Sequence, residues 1–165
     1  MSKQIPKILF HGSTFLSKTL MNSYDITGEL RKWDETESNR FLYATTDKDE
    51  AVRQAIYSSL ERIHGATRFK TEADESGVLF VTVTGPLTQS QLEQAVAQTS
   101  VYLYQITTNK FHDWKLVNNL VNSLQDEWKT RQHIPNMDFT VKKIHGRDLL
   151  DSTRFIAACD QVNSM

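Results

Sequence analysis

The side chains in this chain that could do chemistry begin with His11, which ends a short apolar run. A strand that buries Leu9 and Phe10 on its two faces would carry the imidazole of His11 to the edge of the core. Gly12 has no side chain, so another backbone or a ligand can approach closely there. Ser13 adds a hydroxyl that can donate or accept a hydrogen bond. The stretch is therefore a candidate ligand shelf.

A second candidate is Tyr43, a polar-tipped aromatic in the predicted strand Arg40–Thr45. We expect this strand to neighbour that of His11, with His11 and Tyr43 lining a common cleft. Residues 14–39 lie between the two strands and suggest a short helix containing Phe15, Leu16 and Leu20. The rest of that segment is a long charged loop, of a kind that is often functional and could close over a ligand.

Composition limits the class of protein. At 165 residues, with 39% hydrophobic residues, the chain can bury a core as one domain spanning residues 1–165. The net charge of −1 gives no bulk attraction to nucleic acid or to an anionic membrane, so nucleic acid is the less favoured partner. The single Cys159 excludes an intramolecular disulfide, and the five scattered histidines predict no metal site. Without a membrane-length apolar run or a signal-peptide core, a cytoplasmic protein is expected.

The elements that must position these residues follow from hydrophobic periodicity. Beyond the first two strands, β-branched and aromatic runs predict four more, at Val78–Thr84, Ser100–Ile106, Glu127–Thr130 and Phe139–Ile144. Residues 66–77 are charged and predict a turn or loop. The pattern is typical of an α+β domain whose short strands are mostly antiparallel, with few helices packed on them.

Helices are indicated by caps and by spacing. Asp47 with Glu50 forms a capping-box pattern, with Thr46 as an alternative cap, and an apolar stripe runs from Val52 until Gly65 ends the helix. The other predicted helices follow the capping pair Thr88 and Gln91, cover residues 110–126 and cover Arg147–Ala158.

Two of these stretches together resemble the signatures of a known family. The run Leu9–Ser13 is similar to the first-strand signature of ADP-ribosyltransferases of the diphtheria-toxin and poly(ADP-ribose) polymerase type. There, His-Gly holds the adenosine ribose and the nicotinamide amide of NAD. Phe41–Asp47, running into a helix that contains Ala51, is similar to the second signature, whose tyrosine stacks on the nicotinamide ring. The resemblance implies split antiparallel β-sheets with a few packed helices, and NAD bound as a substrate by His11, Gly12, Ser13 and Tyr43.

The third signature of that family is an acid followed by an aromatic residue near a later strand. Glu127-Trp128 matches it best, and Asp138-Phe139 is the competing match. The resemblance therefore implies catalytic roles for His11, Tyr43 and Glu127, with Asp138 as the alternative acid. Tyr57, on the first helix, is a candidate for a second stacking aromatic.

These residue types suit the chemistry. Cleaving the bond between nicotinamide and ribose develops positive charge on the ribose, which a nearby carboxylate stabilises. An aromatic face holds the flat nicotinamide, and a histidine can bond a ribose hydroxyl. The prediction is an NAD-dependent ADP-ribosyltransferase, a glycosyltransferase of the pentosyl class, whose acceptor is a macromolecule such as a protein, or a small molecule.

Two other hypotheses remain open. One is a module on the same fold that binds NAD or an ADP-ribose-type nucleotide, or another protein, without turnover. The other is an unrelated α+β interaction protein in which His11, Tyr43 and Glu127 never meet. The transferase and the binding module on the same fold both require His11 and Tyr43 in one cleft, and only the transferase also requires the acid there.

Overall fold

The computed structural model describes residues 4–20, 41–117 and 127–158, and its fold is α+β, as predicted. Eleven strands are described: β1 Ile8–Ser13, β2 Thr19–Leu20, β3 Leu42–Thr45, β4 Arg68–Ala73, β5 Leu79–Thr84, β6 Ser100–Thr107, β7 Lys115–Leu116, β8 Glu127–Thr130, β9 Ile134–Pro135, β10 Phe139–His145 and β11 Thr153–Ala157. The helices in the same ranges are α1 Lys48–His64, α2 Gln89–Gln98 and α3 Gly146–Leu149, together with 3-10 turns at Lys110–His112 and Asn136–Asp138.

The strands form three sheets. A six-stranded sheet has the order β10-β6-β1-β3-β8-β7, and every neighbouring pair in it is antiparallel. A three-stranded sheet has the order β11-β5-β4, with β11 parallel to β5, and β2 pairs with β9 alone. The strand of His11 therefore lies in the middle of the larger sheet, with β3 and β8 on one side of it.

Each face of the larger sheet packs on its own hydrophobic cluster, because alternate side chains leave a strand in opposite directions. One cluster is formed with α1, α2 and the three-stranded sheet, and includes Ile56, Leu60, Val81 and Val101. The opposite cluster includes Leu9, Leu42, Tyr104, Trp114 and Trp128. The alternation of Leu9 and Phe10 across the first strand is thus the basis of the two-sided core.

The caps explain where the long helices begin and end. Asp47 caps α1 by accepting from the backbone N–H of Asp49 at 3.0 Å, and Gly65 ends it with a left-handed φ of 73°. The predicted box between Asp47 and Glu50 is wrong, because Glu50 bonds the hydroxyl of Thr45 instead. At α2 the reciprocal box of Thr88 and Gln91 is confirmed.

Two predicted segments are wrong because long-range pairing overrides local pattern. Residues 66–77, predicted as a loop, contain the edge strand β4, whose charged side chains stand in solvent while Phe69 faces α1. Arg147–Ala158, predicted as a helix, contains only the four-residue α3 before β11 begins. In β11 the alternate residues Thr153, Phe155 and Ala157 are buried against β5.

Two further predicted helices differ in the same way. The described part of 110–126 is a 3-10 turn followed by β7, and residues 118–126 lie outside the described ranges. The short helix expected near Leu20 is replaced by β2, and the remainder of that predicted loop, with Arg40, also lies outside them. Within the ranges given above, no helix has the length and apolar character needed to cross a membrane.

Candidate functional site

Three predicted site residues, His11, Tyr43 and Glu127, lie on three neighbouring strands of the six-stranded sheet, β1, β3 and β8. Phe10 on β1 pairs with Thr45 on β3, and Thr45 pairs in turn with Glu127 on β8. Antiparallel partners face the same side of a sheet, so these pairs form one row across the three strands. In the sequence, Tyr43 lies more than 30 positions after His11, and Glu127 lies more than 100 positions after it. The fold brings their three strands together.

Where the pairing of β1 and β3 stops, the imidazole of His11 bonds the backbone of Tyr43. In the described strands, the register of this pair is limited to Phe10 and Thr45. His11 Nδ1 lies 2.6 Å from the carbonyl oxygen of Tyr43. A carbonyl can only accept, so Nδ1 carries the proton and Nε2 keeps a free lone pair. Burial lowers the pKa of His11 and so favours the neutral ring. The hydrogen bond to the carbonyl of Tyr43 acts in the opposite direction and is the smaller effect.

The side chains of His11 and Tyr43 nevertheless leave the sheet on opposite faces. His11 pairs with Tyr104 of β6, and their ring centroids are 6.1 Å apart on the face of the tryptophan-containing cluster. Tyr43 shares the other face with Thr45 and Glu127. The expectation of adjacent strands is confirmed, whereas the expectation of one cleft lined by both side chains is wrong, because the two side chains lie on opposite faces of the sheet. Contact between the two residues runs through the main-chain carbonyl of Tyr43.

Beside Tyr43, two carboxyl groups flank a buried threonine. Thr45 is 6% exposed and donates from Oγ1 to Glu50 Oε2 at 3.2 Å, while its cross-strand partner is Glu127. Burial, followed by the charge of Glu50, raises the pKa of Glu127. Burial also raises the pKa of Glu50, with the bond from Thr45 opposing it. Burial, followed by the charge of Glu127, raises the pKa of Tyr43, so the three groups share one environment.

Glu50 is the member of this group that sequence reasoning missed as a site residue. Its position three residues after Asp47 suggested a cap, which hid its alternative role. The available signal was its place in the first turn of the helix that follows the tyrosine strand, a turn that must lie near the end of that strand.

Gly12 and Ser13, predicted to bind a ligand, have visible structural functions. A Cβ atom on Gly12 would lie 1.9 Å from the carbonyl oxygen of Ala51, so the close approach at Gly12 is made by α1. Ser13 Oγ accepts from the backbone N–H of Phe15 at 3.0 Å and stabilises the turn after β1. A ligand contact at either residue therefore stays a prediction.

The ring of Tyr57, the predicted second stacking aromatic, already stacks inside the protein. It is 8% exposed, its ring stacks on Phe69 with centroids 4.5 Å apart, and its hydroxyl lies 2.9 Å from Thr71 Oγ1. The ring therefore packs between α1 and β4 as part of the core. A tyrosine on the inward side of an amphipathic helix gives the same sequence signal as a stacking tyrosine.

The competing acid, Asp138, has structural partners. Asp138 Oδ2 lies 2.8 Å from Nε2 of the buried His112 and 3.2 Å from the amide nitrogen of Asn109. Trp114 Nε1 donates to His112 Nδ1 at 3.1 Å, so His112 Nε2 carries the proton that Asp138 accepts. Asp138 precedes β10, and three strands separate β10 from β8 in the sheet. Glu127, and not Asp138, is therefore the acid beside Tyr43.

Metal ligands do not gather near these residues. Of the residues that the structure describes, no three His, Cys, Asp or Glu side chains come close enough together to hold an ion.

Comparison of the chain with protein-family models, with curated proteins and with solved structures gives no match.

Proposed function

We propose that this protein is an NAD-dependent ADP-ribosyltransferase that transfers ADP-ribose to an acceptor nucleophile. The observation that carries the proposal is that Tyr43 and Glu127 share one face of the adjacent strands β3 and β8, while the imidazole of His11 on β1 bonds the carbonyl of Tyr43. These are the residues that the family resemblance assigns to NAD. A fold that kept their strands apart would remove the chemical basis of that assignment. The proposal places the reaction in the cytoplasm, and the single Cys159, which cannot form an intramolecular disulfide, requires no oxidising compartment.

In the proposal, the substrate lies where the pairing of β1 and β3 stops, so that His11 and Tyr43 contact it from the two faces of the sheet. From one side, the unprotonated Nε2 of His11 can accept a hydrogen bond from a ribose hydroxyl, since its Nδ1 proton is bound by the carbonyl of Tyr43. From the other side, the ring of Tyr43 offers an aromatic surface for nicotinamide. Both groups are half-buried, so part of each remains open to a ligand.

Glu127 supplies the charge that the reaction needs. In the proposed step, the bond between the ribose anomeric carbon and the nicotinamide nitrogen breaks, and its electron pair leaves with neutral nicotinamide. A lone pair of the acceptor forms the new bond to that carbon, and the acceptor proton passes to Glu127 or to solvent. The ionised carboxylate stabilises the cationic sugar between these events.

Turnover of labelled NAD tests the proposal. We expect nicotinamide release by the protein alone or with cell lysate, and a labelled acceptor in the lysate. Glu127→Gln keeps the shape of the side chain and removes its charge, so turnover should fall about a hundredfold or more while NAD binding persists. Glu61→Gln, an exposed glutamate on α1, is the matched control and should leave turnover unchanged.

Binding is measured separately by the melting temperature, because a ligand of the native state stabilises it by mass action. Millimolar NAD should raise the melting temperature, and His11→Ala should reduce that shift. Binding without any turnover would support the non-catalytic module instead. Absence of both binding and turnover in the folded protein would exclude both NAD functions.

A further inference from the structure

Three basic side chains gather beside the proposed site. Lys115 on β7 pairs directly across from Lys129 on β8, and Arg131 follows one residue after β8 ends. Lys129 Nζ lies 4.4 Å, and Arg131 Cζ lies 4.8 Å, from the centroid of the Phe41 ring. We call Lys115, Lys129 and Arg131 the basic patch.

This arrangement brings like charges together. Like charges directly opposite each other on antiparallel strands are destabilising, and here Lys115 and Lys129 are such a pair. The ring of Phe41 offsets part of that cost by holding Lys129 and Arg131 through cation–π contacts. Lys115 and Lys129 therefore repel each other across the two strands, and an anion bound beside them would relieve that repulsion. All three side chains are exposed or half-buried.

The basic patch also lies on the proposed catalytic face. Lys129 is the cross-strand partner of Tyr43, and it stands two residues from Glu127 on the same side of β8. From β7 to β3 the row spans two strand spacings, about 10 Å, which exceeds what a single compact anion occupies. The ring of Phe41 is already in contact with Lys129 and Arg131, and Tyr43, whose ring centroid lies 6.3 Å from that of Phe41, adds an aromatic surface to the row.

We propose that the basic patch binds the phosphodiester backbone of a single-stranded nucleic acid and presents that strand to Glu127 as the acceptor. A row of cations interleaved with aromatic rings is the combination that single strands bind, through phosphate contacts and base stacking. The overall charge of −1 does not oppose this, because screening limits electrostatic attraction to about 10 Å at 0.1 M salt. The acceptor role rests on the proposed transferase function, whereas the binding itself does not.

Fluorescence anisotropy tests the binding with a labelled 15-nucleotide oligo(dT) and the matching oligo(rU), in the absence of NAD. The patch variant is the triple change Lys115→Gln, Lys129→Gln and Arg131→Gln. The control variant removes the same charge from exposed residues on β10 and α3, by the changes Lys142→Gln, Lys143→Gln and Arg147→Gln. Circular dichroism and melting temperature establish that both variants are folded.

We expect the wild type and the control variant to bind at least one oligonucleotide, and the patch variant to bind at least about tenfold more weakly. Each phosphate neutralised on a single strand contributes about 0.7 to the slope of log affinity against log salt, so the slope should fall by about 2. Lack of wild-type binding at low salt would overturn the proposal, as would equal loss in both variants or equal binding of polyglutamate. A patch variant that keeps the oligonucleotide but loses NAD would assign the cations to the NAD diphosphate and refute the nucleic-acid role.

The outcome is separable from that of the transferase proposal. Oligonucleotide binding is measured without NAD, so it can be present when NAD turnover is absent. Conversely, turnover of NAD with no oligonucleotide binding would leave the transferase in place and remove only the nucleic-acid acceptor. With both present, transfer of the labelled ADP-ribose to the oligonucleotide is expected from wild type and reduced in the patch variant.

Discussion

Substituting alanine for Gly12 tests why the first signature contains glycine. A glycine beside a candidate catalytic histidine can make room for a ligand or for another part of the fold. The structure shows the second use, because the added Cβ would lie 1.9 Å from the carbonyl oxygen and 2.7 Å from the carbonyl carbon of Ala51. Gly12→Ala should therefore damage stability before it damages binding.

The magnitude follows from how far α1 must move. Ordinary contact begins at 3.4 Å, so α1 and β1 must separate by about 1.5 Å, the difference between 3.4 and 1.9 Å. The clashing atom belongs to the backbone and cannot rotate away, while Ala51, Val52 and Ala55 of α1 are buried at this interface. Overpacking of this kind costs about 3 kcal/mol, at the upper end of the usual range. In a domain of this size, that lowers the melting temperature by about 6–12 °C.

The assay is urea unfolding and thermal melting of three glycine variants. Gly146 provides a second close approach, because its Cβ would lie 1.9 Å from the carbonyl oxygen of Val96, so Gly146→Ala should cost a similar amount. Gly77 provides the contrast, with φ of 86° and no atom within 4 Å of an added Cβ. Gly77→Ala should lower the free energy of unfolding by only about 1–2 kcal/mol, the cost of holding alanine in a left-handed conformation.

A free energy of unfolding for Gly12→Ala within about 0.5 kcal/mol of the wild type, the usual scatter for neutral substitutions, would show that α1 does not require a glycine there. A stable Gly12→Ala variant that no longer shifts its melting temperature with NAD would show that the glycine makes room for a ligand. A destabilised variant that still binds NAD when folded would confirm that α1 alone requires it.

Three further perturbations follow from the described contacts. Asp138→Asn weakens the partner of the buried His112 and should cost about 1–3 kcal/mol in urea unfolding while leaving NAD turnover intact. Asp47→Ala removes the cap of α1 and should cost about 1 kcal/mol, whereas Asp49→Ala, which keeps the capped N–H, should cost less by the same assay. The folded pKa of Glu127 is raised, so its ionisation destabilises the protein as pH rises from the unfolded pKa through the folded one. Glu127→Gln should therefore melt higher than wild type at pH 7, with the difference shrinking toward pH 4; a constant difference would contradict the burial argument.

The sequence predicts five of the six strands of the large sheet, because the periodicity of those five is local; the two-residue β7 lies in a segment predicted as a helix. Enough β-branched and aromatic residues lie in each of these five strands to identify it from the local sequence: β1, β3, β6, β8 and β10. β4 and β11 were missed since their patterns depend on a partner: β4 exposes charges at an edge, and β11 is stabilised by parallel pairing with β5. Parallel pairing of distant segments leaves no turn signal in the chain.

The candidate site is predictable in its parts and not in its arrangement. His11, Tyr43 and Glu127 can be chosen from local signatures, yet the choice between Glu127 and Asp138 depends on which strand pairs with β3. That pairing joins Thr45 to Glu127 across a separation of 82 residues. The same holds for faces: alternation within each strand is readable, but which face of β1 matches which face of β3 is set by the single pair Phe10 and Thr45.

Charge shows the same limit most clearly. A net charge of −1 averages over 19 basic and 20 acidic residues and argues against nucleic acid. The average loses its force once β7 and β8 pair, since Lys115 and Lys129 then face each other beside the ring of Phe41. Electrostatic attraction acts over about a Debye length, so the charges gathered within that distance decide what a surface binds. Strand register, more than net charge, therefore decides which ligands this face of the sheet can bind.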